Sequence, residues 1–63
     1  MADCRVENHG TLFLFQPLTP AASDWIEEHV QEDAQFFGTA LVVEHRYACD
    51  LAEGMREDGL VLE

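Results

Sequence analysis

Two short runs, Thr11-Leu12-Phe13-Leu14-Phe15 and Thr39-Ala40-Leu41-Val42-Val43-Glu44, carry apolar side chains on both faces of any strand they form. Side chains alternate between faces along a strand. Leu12 and Leu14 therefore point one way and Phe13 and Phe15 the other, and Val42 opposes Leu41 and Val43. A sheet built on these runs needs cover on two sides. The 63 residues offer only two helical segments to provide it.

The first follows Pro17. Thr19-Pro20 supplies an N-cap and a proline at the first helical position, where the missing N–H costs nothing. Ala22, Ile26 and Val30 then recur every four residues, with Trp25 and His29 beside them and Ser23, Asp24, Glu27 and Glu28 on the other side. This is an amphipathic helix. Gln31 to Gln35 reads as a polar connector, and Phe36-Phe37-Gly38 as the lead-in to the second strand. A second helix has Ala48, Leu51, Ala52 and Met55 on one face and Gly59 as its C-cap. Gly54 inside it weakens its last turn by roughly 1 kcal/mol relative to alanine. Leu60-Val61-Leu62 can add a short final strand.

The expected fold is thus α/β or α+β: a small β-α-β-α(-β) arrangement in one layer, with two helices on one face of a two- or three-stranded sheet, forming a single small acidic domain over residues 1–63. If the two main strands pair in parallel, their crossover should be right-handed. Helices on one face leave an apolar patch on the other, which usually marks an interface. A homodimer, or a partner covering that face, is expected. The alternative is that Phe36, Phe37 and the N-terminal arm fold over it.

Charge narrows the function. Thirteen acidic residues face three arginines and no lysine, a formal net charge of −10. Such a surface repels nucleic acid and anionic membranes, and it repels itself. Residues 23–33 hold Asp24, Glu27, Glu28, Glu32 and Asp33 with no cation; residues 44–63 hold six acids against Arg46 and Arg56. Asp24, Glu28 and Glu32 follow one another by one helical turn, about 6 Å of rise per step, which is of the order of the spacing between nucleic-acid phosphates. Like charges at this spacing cost a few tenths of a kcal/mol per pair, and a face serving solubility alone normally mixes in lysine. The expected function is a non-enzymatic acidic interaction protein, an inhibitor that occupies the basic nucleic-acid-binding surface of a partner protein or complex by mimicking phosphates. Asp24, Glu27, Glu28, Glu32 and Asp33 form its principal patch, and Glu53, Glu57 and Asp58 a second. The alternative is a small cytoplasmic homodimer binding a protein or small anion through its apolar sheet face or the Glu44-His45-Arg46-Tyr47 cluster.

No Gly-rich phosphate loop, nucleophile elbow or paired-carboxylate motif occurs, so neither catalysis nor a cofactor is expected. His9, His29 and His45 lack the spacing that sets two imidazoles on one helix face, so no metal site is expected either. His29 should border the helix core, and Trp25 should belong to it. In the Glu44–Tyr47 cluster, Arg46 should pair with nearby carboxylates and Tyr47 pack on the helix. The N-terminus has no signal-peptide pattern and no run is long enough to span a bilayer, which suggests a reduced cytoplasmic compartment with Cys4 and Cys49 as free thiols.

The stretch from Phe13 to Ala22, then Trp25, Asp33-Ala34-Gln35-Phe36 and Ala40 to Tyr47, resembles a group of short acidic bacterial open reading frames. That group has no established function, so the resemblance assigns no site residue. In size and charge alone the chain is similar to small phage anti-defence proteins, the anti-CRISPR and anti-restriction inhibitors.

Overall fold

The computed structural model describes residues 1–30 and 33–63. Two hairpins, each followed by a helix, make up the α+β fold: β1 (Cys4–His9), β2 (Leu12–Pro17), α1 (Pro20–His29), β3 (Gln35–Phe37), β4 (Ala40–Glu44) and α2 (His45–Glu57). The strands form one antiparallel sheet in the order β1-β2-β4-β3.

Both helices lie on one sheet face, as the one-sided arrangement requires. The sheet is wider than expected, because each apolar run gains a hairpin partner. β1 pairs with β2 across a two-residue turn, Gly10-Thr11, and β3 with β4 across Gly38-Thr39. Gly10 (φ 81°) and Gly38 (φ 63°) sit at the first turn position with a positive φ that only glycine adopts cheaply. The Asn8 carboxamide oxygen adds a local bond, accepting from the Gly10 N–H at 2.9 Å. The segment expected as an N-terminal arm is therefore β1, and Gln35-Phe36-Phe37 is a strand, not connector and lead-in. The two main runs, in β2 and β4, pair antiparallel with Phe15 opposite Leu41 and Leu14 opposite Val42, so no parallel crossover exists.

Register fixes the two faces. Cys4, Val6, Phe13, Phe15, Leu41 and Val43 face the helices and meet Ala22, Trp25, Ile26, Ala48, Leu51, Ala52 and Met55 in one core. Phe15, Met55 and Cys4 are fully buried. Helix ends fall where the caps dictate. The Thr19 Oγ1 accepts from the Ala22 N–H at 3.3 Å, with Pro20 at the first position. At the other end the Leu60 N–H donates to the Met55 carbonyl and the Gly59 N–H to that of Arg56, closing α2 in a Schellman motif.

Beyond α2 the chain returns to β1. Leu62 forms a parallel bridge with Cys4, and the Glu63 N–H donates to the Cys4 carbonyl at 3.0 Å. Asp3 secures this junction: its carboxylate accepts from the Val61 N–H at 2.8 Å and from the Thr19 hydroxyl at 2.9 Å. Its carbonyl accepts from the Leu18 N–H. The Val61 backbone donor, followed by Thr19, holds the Asp3 carboxyl below the usual carboxylate range.

Two outcomes test this arrangement. A carboxyl whose pKa is depressed on folding contributes stability above its unfolded value, near 4, and loses it as pH falls through the folded value. Asp3→Asn should lower the melting temperature at neutral pH, and the gap to the parent should close below about pH 4; a gap independent of pH would disprove the clasp. Burial raises the Cys4 thiol to about 11, while Cys49 is exposed. A thiol reagent should modify the native chain once, at Cys49, and reach Cys4 only on unfolding, as peptide mass mapping would show.

Candidate functional site

The helical layer carries most of the candidate residues. α1 turns Ala22, Trp25 and Ile26 inward, which leaves Asp24, Glu27 and Glu28 exposed on its solvent side. α2 buries Ala48 and Met55 and exposes Asp50, Glu53 and Glu57, with Asp58 exposed at its C-cap. Asp33 is exposed in the turn before β3. Glu32 lies outside the described residues. The fold thus brings the α1 and α2 acids onto one layer, although they are distant in sequence.

Ion pairing divides the molecule. Arg5 Nε lies 3.2 Å from Glu63, Arg46 Nε 3.1 Å from Glu44, and His9 Nε2 3.2 Å from Glu7. By register Arg5, Glu7, His9 and Glu44 all belong to the sheet face away from the helices. Among the described residues, Asp24, Glu27, Glu28, Asp33, Asp50, Glu53 and Glu57 have no ion-pair partner. Arg5 is thus occupied on the sheet side and Arg46, at the start of α2, on Glu44, while Arg56 stands in the last turn of α2 beside Glu53 and Glu57.

Asp58 has a different setting from the other candidates. Its carboxylate accepts from Trp25 Nε1 at 2.5 Å and lies 3.7 Å from His29 Nε2. The His29 ring stacks on Trp25, with centroids 4.0 Å apart and planes 11° from parallel, and its Nδ1 is 2.8 Å from the Trp25 carbonyl. Trp25, only 9% exposed, also lies against Gly54. The i,i+4 spacing of Trp25 and His29 was visible in the sequence; the Asp58 partner, 33 residues from Trp25, had no local signal. Between the helices runs a groove of about 580 Å³, floored by Leu41 and Val43 and bordered by the Trp25–His29 stack and Tyr47.

The Glu44–Tyr47 cluster spends its charges on itself. Besides the Glu44 pair, the Arg46 guanidinium lies 5.1 Å from the centroid of the Tyr47 ring. Among the described residues, no group of three or more His, Cys, Asp and Glu is placed to hold a metal ion, and no helix is long and apolar enough to cross a membrane.

No protein-family model, curated protein or solved structure matches the chain.

Gly54 supplies a direct check on the helix contact. A Cβ there would stand 3.5 Å from Trp25 Cζ2, ordinary van der Waals distance. Gly54→Ala should therefore keep the contact and gain roughly 0.5–1 kcal/mol of stability in denaturant unfolding. A loss of stability would show that the ring and the helix backbone sit closer than this.

Proposed function

We propose that the protein is a non-enzymatic, acidic interaction protein whose helical layer occupies the basic, nucleic-acid-binding surface of a partner and thereby inhibits it. The observation that carries this reading is the segregation of charge. Asp24, Glu27 and Glu28 on α1 and Glu53 and Glu57 on α2 are exposed on one layer without ion-pair partners among the described residues. Of the three arginines, Arg5 and Arg46 are paired with Glu63 and Glu44, which leaves Arg56 in the last turn of α2 as the one arginine among these acids.

Carboxylates held on two packed helices are pre-positioned, so a cationic groove meets a surface that has already borne its own repulsion. Asp24 and Glu28 stand one turn apart, as do Glu53 and Glu57, and each turn sets charge at a phosphate-like interval. Asp33 extends the α1 set, and Asp58 lends its remaining charge to the α2 set while holding Trp25. Long-range attraction of this kind speeds encounter and weakens as salt screens it. A reduced cytoplasmic setting suits both the free thiols and a nucleic-acid-handling target.

Asp24→Lys, Glu27→Lys and Glu28→Lys combined should abolish capture of a nucleic-acid-binding complex from host lysate while leaving the circular dichroism spectrum intact. The parent should capture that complex at low salt, release it at high salt, and lose it to competing DNA or RNA. Equal capture by the triple variant would refute the phosphate-mimic reading.

A further inference from the structure

Among the described residues, no element covers the sheet face opposite the helices. Across its four strands, register sets Arg5, Gln16, Ala40 and Phe37 in one row and Glu7, Leu14, Val42 and Gln35 in the next. His9, Leu12 and Glu44 form a third. Phe37, Ala40, Val42, Leu14 and Leu12 therefore make an unbroken apolar diagonal. Phe37 is 74% exposed and Leu12 40%. None of the five belongs to the cluster under the helices, and Ala40, between Phe37 and Val42, is itself buried. Phe36 and Phe37 do not fold over this face; they extend the sheet at its edge as β3.

The charge geometry points to a second copy of this chain as the occupant, in a face-to-face sheet dimer. A chain of net charge −10 cannot approach itself helix to helix, because Asp24, Glu27 and Glu28 of two copies would meet. The open face is the exception. Arg5 is paired with Glu63 and Glu44 with Arg46, and Glu7 lies 3.2 Å from the His9 ring, so the face carries little net charge and little repulsion for its own kind.

Distance completes the case. Packed sheets stand about 10 Å apart, and a helical layer adds about 10 Å on each outer side. The two acidic layers of such a dimer are then about 30 Å apart, several times the ~8 Å Debye length at physiological salt. Leu14 and Val42 occupy the centre of the patch, so a two-fold axis through it sets them on their counterparts. Strands of six, six, three and five residues give a face on the order of 300 Å² per copy. Two such faces bury about 600 Å² in total, below the ~1,000 Å² of a stable specific interface, so the dimer should be weak and form reversibly with concentration.

Sedimentation analysis of the full chain, from micromolar to millimolar concentration at physiological and at elevated salt, tests this. The mass should rise from 7.1 kDa to twice that value and stop there, with association strengthened by salt as residual repulsion is screened. This is the opposite salt response to partner capture by the helical layer, so the two readings fail separately. Phe37→Ser and Val42→Glu should each hold the chain monomeric; both positions lie outside the core, and an unchanged melting profile would verify folding. A monomer at every concentration and salt overturns the proposal. So does growth beyond the dimer, or a dimer that survives both substitutions.

Discussion

Trp25 is the point at which the two helices become one layer. Its ring rests against Gly54, its Nε1 donates to Asp58, and its face is stacked by His29, itself anchored on the Trp25 carbonyl. An indole N–H this deeply placed needs an acceptor, and Asp58 provides one from the end of α2. The bond does two things together. It satisfies a nearly buried donor, and it fixes where α2 finishes relative to α1, just as Gly59 closes that helix. The placing of the α1 carboxylates relative to those of α2 follows from this junction.

Acidity on this scale is tolerable because the fold sorts it. Along β1, at the end of β4 and at the C-terminal residue, acids lie beside bases; among the described residues Asp24, Glu27, Glu28, Asp50, Glu53 and Glu57 on the helices have no ion-pair partner, with Arg46 and Arg56 the two arginines on that layer. Among the described residues, burial draws no charge into the interior: none of the buried ones is polar or charged. The net charge therefore costs mutual repulsion on one outer layer and leaves the core apolar. That separation gives the molecule two unlike surfaces, one charged and one apolar, on opposite sides of a single sheet.

Much of this was legible in the residue pattern. The periodicities of α1 and α2, the Thr19-Pro20 start, the Gly59 stop and the two-faced apolar strands all follow from local chemistry that tertiary contacts did not override. The misplaced pieces were β1 and β3. β1 alternates correctly, with Cys4 and Val6 inward and Arg5 and Glu7 outward, but its polar outer face resembles a solvated arm until a partner strand is known. β3 is three residues long, too short for its alternation to register. Both depend on two-residue turns whose glycines take a positive φ, a detail that reverses chain direction and converts an expected lead-in into a hairpin. The acidic patches were readable one helix at a time, whereas their assembly on one layer, and the Asp58 bond to Trp25, are products of long-range packing.

The return of the chain to β1 has a mechanical consequence. Leu62 bridges Cys4 in parallel, and Asp3 ties the same junction to Val61 and Thr19. Tension drawn outward through residues 3 and 63 would pull β1 from its beginning and the last segment from its end. Two parallel strands loaded in this way slide along each other, so the bonds from Val6 to Glu63 and from Glu63 to Cys4 share the force instead of opening one after another. The seam between the first and last residues is thus a shear clamp, and the rest of the sheet would be loaded only after it had yielded.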